Sequence, residues 1–336
     1  MLACPLFPLC ICRQRGLFQL FQQGRRSVQH LACSPRFPLA WTASSRCDDA
    51  GRKRGVALFR IRPLHPSFGA EIEGVVWHEP PQGALADALR AAFAEHRLLC
   101  LRAEPMTPEA FVALARCLGS PKVQVGEHLE DVPEVTILDS TYRRPEDKPD
   151  DMNKVRLTGW HTDDSYLAEP AFATMLQALE IPSSGGQTRF ADTRAAFDDL
   201  PADEAAALRG LRAIHRYDCS RARVRATGLT PEEADALGEA SHPLVRRHEV
   251  TGRPALYVNA NRTERVEGMD RAGSDALLDR LHAHMTQQRY QYHHPWRAGD
   301  ILVWDNRCLI HSVNMDFPVG QTRRHQRILL RGARPA

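Results

Sequence analysis

From Val56 onward, the alternation of apolar and polar positions predicts a chain built mainly from short strands with helices between them. Residues 84–96 repeat apolar side chains at the helical period, so they predict a first helix. A second helix is expected to begin at Pro108, because Thr107 is a good capping residue and proline is favoured at the first helical position. The apolar run 98–101 between the two helices predicts a short buried strand.

Beyond Pro133, strand patterns outnumber helical ones, and Gly119 is expected to end the second helix. We found no glycine-rich dinucleotide loop after any predicted strand and no internal repeat. Many short strands edged by helices favour an α+β, mainly β fold, with a double-stranded β-helix (jelly roll) core flanked by helices. The further predicted strands are 57–61, 70–76, 134–138, 156–160, 174–179, 188–190, 244–249, 255–259, 290–294, 301–304, 309–313 and 326–331, and the further helices are 193–212, 230–239 and 272–287.

Residues 1–55 differ in composition from the rest of the chain. Before Asp48 there are six arginines and no acidic residue, and residues 1–55 contain five of the nine cysteines. We expect a disordered amino-terminal extension outside the fold, and a single domain over residues 56–336. An acid-poor, arginine-rich stretch is also typical of a transit peptide, and a translated upstream segment has the same appearance.

Overall composition excludes several classes of protein. The chain has 336 residues, 43% of them hydrophobic, and a net charge of +3 that is not concentrated in one basic patch, so no nucleic-acid partner is expected. No run of eighteen apolar residues predicts a membrane span. The remaining cysteines are scattered, which favours a reducing compartment. We therefore expect a cytoplasmic protein, or an organellar one if residues 1–55 are a transit peptide, and the sequence leaves a homo-oligomer open.

The strongest chemical signal is His161-Thr162-Asp163 with a distant His311. On a strand, residues two apart point to the same side, so His161 and Asp163 can reach one metal ion, whereas Asp164 would face away. Two imidazoles and one carboxylate bind Fe(II) and leave three coordination positions open for oxygen chemistry. The same three ligands also suit a zinc hydrolase.

Several further stretches accompany these residues in a fixed order. Over residues 57–336 the chain resembles the taurine and 2,4-dichlorophenoxyacetate dioxygenase (TauD/TfdA) family, which depends on Fe(II) and 2-oxoglutarate. The matching stretches are 160–163 (Trp-His-Thr-Asp), 182–188 (Pro-Ser-Ser-Gly-Gly-Gln-Thr), 195–201, 242–245, 252–259, 265–269, 304–311 (Trp-Asp-Asn-Arg-Cys-Leu-Ile-His) and the arginine cluster up to Arg327.

The resemblance implies an enzyme with a defined set of site residues. His161, Asp163 and His311 are implied to ligate Fe(2+), which reacts with O2. Thr188 and Arg323 are implied to bind the distal carboxylate of the cosubstrate 2-oxoglutarate. A planar guanidinium matches a carboxylate through two parallel hydrogen bonds, which agrees with this role for Arg323.

The resemblance also implies where a small, anionic substrate binds. Arg327, four residues after Arg323, is expected to point toward the substrate anion, whereas Arg324 should face away by strand alternation. Trp304 is expected to form an aromatic wall near the iron. His128 is a further candidate for substrate contact, since it lies where the family places such contacts.

Differences between this chain and the family members that take taurine indicate the class of substrate. Gln124, Glu127 and Leu157 stand where members that take taurine have their substrate contacts, whereas 195–201 and 304–308 resemble the phenoxyacetate branch. We therefore expect hydroxylation of an aryloxyalkanoate, sulfonate or alkyl sulfate, with cleavage where the hydroxylated carbon bears a heteroatom. A non-catalytic jelly-roll protein that binds a small molecule is the alternative from another class, beside the zinc hydrolase.

Overall fold

The computed structural model describes residues 58–124, 128–148, 159–222 and 229–336, and the statements below refer to these residues. The expected extension over residues 1–55 lies outside them, as do residues 156–158 of one predicted strand. Residues 159 and 160, the rest of that prediction, are not in a strand.

Sixteen strands and six helices lie in the described residues. The strands are β1 (Arg60–Pro63), β2 (Ala70–Glu73), β3 (Leu98–Leu101), β4 (Pro121–Lys122), β5 (Thr136–Asp139), β6 (Ala173–Glu180), β7 (Thr188–Asp192), β8 (Arg212–Arg216), β9 (Glu239–Pro243), β10 (Val245–Arg247), β11 (Pro254–Leu256), β12 (Thr263–Val266), β13 (Gln291–His294), β14 (Ile301–Asp305), β15 (Leu309–Val313) and β16 (Arg324–Leu330). The helices are α1 (Gly83–His96), α2 (Pro108–Arg116), α3 (Thr193–Asp198), α4 (Ala202–Leu208), α5 (Pro231–Ala236) and α6 (Arg271–Met285). The fold is therefore mixed, and mainly sheet.

A large sheet organises the fold in the strand order β1-β2-β3-β14-β6-β16-β4, with β5 also paired to β16. Neighbouring strands are antiparallel, except β2 and β3, which are parallel. Successive side chains of a strand point to opposite faces, so the apolar strands of this sheet cover both faces. Leu99 and Val303 pack on one face in a cluster with Leu89 of α1 and Phe111 of α2.

The opposite face of the large sheet packs on a smaller sheet in the order β13-β7-β15. Leu98 and Trp304 of the large sheet share a buried cluster with Phe190 of β7 and Leu309 of β15. This face carries the candidate site, because β15 contains His311 and β7 begins at Thr188.

The sequence prediction of one helix over 193–212 was wrong. Two short helices, α3 and α4, flank Pro201, which lacks a backbone N–H and does not continue a helix. Strand β8 then begins at Arg212, the last residue of the predicted helix. β8 pairs with β9 and β12, neither of which was predicted, so pairing between distant segments decides their structure.

Gly119 does not end α2 in the way expected. The helix ends at Arg116, Cys117 caps it in an ordinary right-handed conformation, and Gly119 does not have a positive φ. A Cβ at Gly119 would lie 2.8 Å from a ring carbon of Phe172, so the glycine allows that ring to approach the backbone closely.

No helix in the described ranges is long and apolar enough to span a membrane.

Candidate metal centre and cosubstrate pocket

His161 and His311 are held opposite each other by two backbone hydrogen bonds. The His161 N–H donates to the carbonyl of His311 at 2.9 Å, and the His311 N–H donates back at 2.8 Å. Residues paired in this way in an antiparallel ladder present their side chains on the same face. Their ring centroids consequently lie 4.1 Å apart.

Asp163 completes a three-residue cluster beside the two imidazoles. Its Oδ1 lies 3.9 Å from Nε2 of His161, and its Oδ2 lies 3.7 Å from Nε2 of His311. One ligand atom from each of the three residues lies within 4.8 Å of the others. Two nitrogens and one carboxylate oxygen gathered in this way fit Fe(II) with open positions, and they are also chemically acceptable to zinc.

The route by which Asp163 reaches the cluster differs from the expected strand. Only His161 forms a bridge, and Asp163 begins a turn in which the Leu167 N–H donates to the carbonyl of Asp164 at 2.8 Å. Asp164 has a φ of 57° and its carboxylate pairs with Lys122, away from the metal cluster. Asp164 therefore lies outside the three-residue cluster, as expected, although a turn and not a strand directs its carboxylate elsewhere.

The Asp163 carboxylate is oriented by a chain of buried side chains. Oγ1 of Thr174 donates to Oδ2 of Asp163 at 2.6 Å. The Asn306 amide donates to Thr174 at 2.8 Å, and the Trp304 indole donates to Asn306 at 3.1 Å. Hydrogen bonds to a carboxylate ligand restrict its rotation, so this chain holds Asp163 ready for a metal.

The protonation states of the cluster suit metal binding. Burial lowers the pKa of both His161 and His311, so both rings are neutral at physiological pH. Burial acts to raise the pKa of Asp163, but His311, which carries a charge only when protonated at low pH, and the Arg327 guanidinium outweigh it, so the pKa of Asp163 is lowered. Nδ1 of His161 lies 3.0 Å from the carbonyl of Gly159, which favours a proton on Nδ1 and leaves the Nε2 lone pair for a metal.

Trp304 lies next to the cluster, as the sequence suggested. Its ring centroid lies 4.8 Å from that of His311, and it also packs edge-on against Phe190. Trp304 is only 1% exposed and is enclosed by the His311 ring, Phe190 and Asn306. Trp304 therefore supports His311 from behind, and no face of it is open as a pocket wall.

Arg323 and Thr188 meet beside the metal cluster. The Arg323 side chain is 2% exposed, its Nε donates to the carbonyl of Gly186 at 3.0 Å, and its Nη2 lies 3.5 Å from Oγ1 of Thr188. No carboxylate within the described ranges forms an ion pair with this guanidinium. Burial alone lowers the pKa of Arg323 to about 10. A buried and uncompensated cation of this kind is costly unless an anion joins it, and a carboxylate is the matching partner.

Arg327 and Arg324 project to opposite sides of β16. Nη1 of Arg327 lies 3.9 Å from Oδ1 of Asp163, and its other terminal nitrogen donates to the Gln124 side chain. Arg324 is exposed and its guanidinium lies 2.6 Å from the Glu180 carboxylate. The prediction from strand alternation that Arg324 and Arg327 face opposite sides is therefore confirmed.

Two of the substrate predictions lie at the edge of what the structure describes. His128 is exposed and directly follows residues 125–127, which lie outside the described ranges and include Glu127. Leu157 also lies outside the described ranges. A substrate contact by His128 stays a prediction.

Sequence reasoning missed the supporting residues of the site. Thr174 reaches Asp163 because β6 pairs with β14 so that Thr174 lies opposite Trp304. Trp296 donates its indole N–H to Thr188 at 3.1 Å, and Gln124 holds Arg327. No motif marked Thr174 or Trp296 as a site residue, since their roles arise from pairing between distant strands, whereas Gln124 was noted only as standing where members that take taurine have a substrate contact.

Two other buried groups have metal-ligand composition but are already neutralised by arginines. Asp305 accepts hydrogen bonds from Arg307 and from His248. Asp300 is likewise paired with Arg102. Both networks are therefore assigned as structural ion pairs.

Comparison with known proteins agrees with this geometry. The family model for the taurine catabolism dioxygenase TauD, TfdA family matches residues 60–331. The chain belongs to this family. Family members that are similar to it include an alpha-ketoglutarate-dependent 2,4-dichlorophenoxyacetate dioxygenase of Cupriavidus pinatubonensis, 32% identical over 74% of this chain and 90% of the relative.

Two further relatives widen the range of named activities within the TauD/TfdA family. An (S)-phenoxypropionate/alpha-ketoglutarate-dioxygenase of Sphingobium herbicidovorans is 34% identical over 76% of this chain and 88% of its own length. An alpha-ketoglutarate-dependent sulfate ester dioxygenase of Pseudomonas putida is 28% identical over 82% of this chain and 90% of its own.

Solved structures of TauD-like enzymes share the fold. A taurine dioxygenase from Burkholderia xenovorans superimposes with a TM-score of 0.70 at 29% identity, covering 83% of this chain and 92% of that one. AAD-2, solved in complex with Mn(II) and N-oxalylglycine, has the same TM-score at 26% identity, covering 83% and 99%. Together with the site geometry, these findings make the protein a 2-oxoglutarate-dependent dioxygenase, and hence an oxidoreductase.

Proposed function

We propose that the protein uses Fe(II), held by His161, Asp163 and His311, and 2-oxoglutarate, held by Thr188 and Arg323, to oxidise a small anionic substrate. Bound Fe(II) supplies the oxidising chemistry, in which O2 and 2-oxoglutarate are consumed, succinate and CO2 are released, and a substrate carbon is hydroxylated. The chain's own residues orient the ligands, neutralise the cosubstrate and place the substrate.

The unpaired guanidinium of Arg323 is the observation that carries this proposal. It is buried beside the Thr188 hydroxyl, and no carboxylate within the described ranges neutralises it. A dicarboxylate cosubstrate supplies the missing charge, because the distal carboxylate accepts from the guanidinium fork and from the hydroxyl. A zinc hydrolase leaves these two residues without a purpose, and the intact His-Asp-His cluster beside them argues against a protein that has kept the pocket for binding alone.

Arg327 supports an anionic substrate. The side chain is about a quarter exposed, and its Nη1 lies 3.9 Å from Oδ1 of Asp163. Among the carboxylates of the described ranges, only that of Asp163 pairs with Arg327, and it is assigned to the metal, so the guanidinium retains charge for a second anion. The relatives are named for phenoxyalkanoates and sulfate esters, and we propose an aryloxyalkanoate, sulfonate or alkyl sulfate here, with cleavage when the hydroxylated carbon carries oxygen.

The shape of the core is part of the proposal. The large sheet and the β13-β7-β15 sheet share one buried cluster that includes Trp304 and Phe190. We propose that these two sheets form the double-stranded β-helix expected from the sequence, with the metal cluster between them.

An anaerobic titration tests the metal and cosubstrate assignments. Wild-type protein loaded with Fe(II) should develop a visible charge-transfer absorption on addition of 2-oxoglutarate. Asp163→Ala should lose this absorption together with turnover, because the carboxylate ligand is removed. Turnover retained in Asp163→Ala, or no absorption in the wild type, would contradict the proposal.

A substrate screen tests the role of Arg327. Succinate release should be coupled to consumption of one class among aryloxyalkanoates, sulfonates and alkyl sulfates. Arg327→Leu should raise the KM for that class about tenfold or more, since a charge-assisted hydrogen bond contributes about 1.5–3 kcal/mol. Arg324→Leu, on the same strand but facing Glu180, is the matched control and should leave the KM unchanged. An equal effect of both substitutions would refute the role of Arg327.

A further inference from the structure

Trp296 lies beside the candidate cosubstrate pocket, and its indole Nε1–H donates to Oγ1 of Thr188 at 3.1 Å. Pairing of β13 with β7 places His294 opposite Thr188, and Trp296 follows His294 by two residues. We infer that Trp296 is a positioning residue for 2-oxoglutarate, which directs the hydroxyl proton of Thr188 toward the distal carboxylate. This inference rests on the proposed function, in which Thr188 and Arg323 hold that carboxylate.

The hydrogen-bonding capacity of the Thr188 hydroxyl determines the direction of its proton. A threonine hydroxyl has two acceptor lone pairs and one O–H donor, whereas an indole N–H and a guanidinium are donors only. Trp296 donates to Oγ1 of Thr188, and Nη2 of Arg323 approaches the same oxygen at 3.5 Å. With both lone pairs facing donors, the hydroxyl is left with its proton to give, and Thr188 acts as a donor.

The orientation of the indole is itself constrained. The Trp296 ring packs edge-on against His294, with centroids 4.8 Å apart, and against His325, with centroids 4.7 Å apart. His294 is fixed in turn by the Asp300 carboxylate, 3.2 Å from its Nε2. Both histidines are fully buried, so the indole N–H has little freedom to leave Thr188.

These contacts select the chemical class of ligand. The pocket formed by Thr188 and Arg323 presents donors and no free acceptor, so it favours a group that only accepts hydrogen bonds. A carboxylate is such a group, whereas an amide also carries donors that would find no partner. The arrangement therefore favours a keto acid with a second, distal carboxylate over a keto acid without one.

Trp296→Phe tests the inference, because it keeps an aromatic ring and removes only the N–H. Binding of 2-oxoglutarate to Fe(II)-loaded protein is measured anaerobically by the charge-transfer absorption. We expect the Kd for 2-oxoglutarate to rise about three- to tenfold, as for the loss of one ordinary hydrogen bond. The Kd for pyruvate, which lacks the distal carboxylate, should not change. A wild-type Kd in Trp296→Phe, or an equal rise for pyruvate, would overturn the inference.

A double-mutant cycle separates orientation of Thr188 from general damage. Thr188→Val should raise the Kd for 2-oxoglutarate about tenfold or more, since it removes a hydrogen bond to a charged group. Adding Trp296→Phe to Thr188→Val should then have no further effect, because the indole acts only through the hydroxyl. Additive effects would show that Trp296 acts by another route. Trp77→Phe, whose indole N–H has no partner within the described ranges, is the matched control and should bind normally.

The indole resonance gives a measurement that does not depend on how well Trp296→Phe folds. The chain contains five tryptophans, so five indole N–H signals are expected from protein labelled with 15N-tryptophan. Thr188→Val should shift one of them strongly, and Thr188→Ser, which keeps the hydroxyl, should restore it. No shift in Thr188→Val would overturn the inference. If wild-type protein failed to bind 2-oxoglutarate at all, the proposed function would fail instead, since the indole contact is read out independently.

Discussion

Thr174→Val is the most direct test of how the fold prepares the metal ligands. The substitution keeps the shape of a fully buried side chain and removes its hydroxyl. That hydroxyl donates to Oδ2 of Asp163 at 2.6 Å and accepts from the Asn306 amide at 2.8 Å. Two consequences follow, one for the metal and one for stability.

The magnitudes follow from these two contacts. Losing a hydrogen bond that orients a metal ligand should weaken metal binding about 10- to 100-fold. A hydrogen bond to a charged group contributes about 1.5–3 kcal/mol, and leaving the buried amide of Asn306 without its partner costs about 1–3 kcal/mol. We therefore expect the free energy of unfolding of the metal-free protein to fall by about 3 kcal/mol.

Calorimetric titration with Mn(II), which is stable in air, measures the first effect, and urea unfolding measures the second. Thr263→Val is the matched control, because Thr263 is equally buried and its hydroxyl accepts from the Asn259 N–H at 2.9 Å, in a turn without metal ligands. It should lower stability by about 1 kcal/mol and leave Mn(II) affinity unchanged. Equal Mn(II) affinity in the Thr174 and Thr263 variants would refute the reasoning.

Two further predictions concern stability. Gly299→Ala should lower the free energy of unfolding by about 3 kcal/mol or more, because φ at this glycine is +86° and the new Cβ would lie 2.0 Å from the Ala103 carbonyl oxygen. Gly320→Ala is the control, since φ is +81° but the space around it is open, and it should lower the free energy of unfolding by only about 1–2 kcal/mol. Equal losses in the two variants on urea unfolding would contradict this prediction. Burial holds the pKa of His215 and of His325 well below 6.5, so the unfolded chain binds more protons and stability should fall as pH drops below about 6.5, by about 1.4 kcal/mol per pH unit for each histidine. When urea unfolding is measured between pH 7.5 and 5, the free energy of unfolding should change less steeply with pH in His325→Phe than in the wild type. Identical slopes would show that His325 does not cause the pH dependence.

Short sequence patterns were enough to predict strands and helices that are buried completely or on one face. β3 over Leu98–Leu101 and β15 over Leu309–Val313 have the predicted bounds, because the short apolar run of β3 and the short segment of β15 with Ile310 and Val313 are typical of buried strands. α2 begins at Pro108 as predicted, with the Thr107 hydroxyl accepting from the Ala110 N–H at 3.3 Å. The sequence also contained the metal-binding residue types and their spacing, and the opposed directions of Arg324 and Arg327.

Long-range pairing decided what the sequence left open. The strands β8, β9 and β12 exist because they hydrogen-bond to one another, and their local patterns are too weak to show it. Asp163 points to the two histidines from a turn, and the bridge between His161 and His311 joins segments far apart in the chain. Thr174 and Trp296 reach the site only through the registers of their sheets. The chain therefore specifies by itself which atoms can bind iron and a dicarboxylate, whereas the hydrogen bonds that orient those atoms depend on distances that only the folded sheets define.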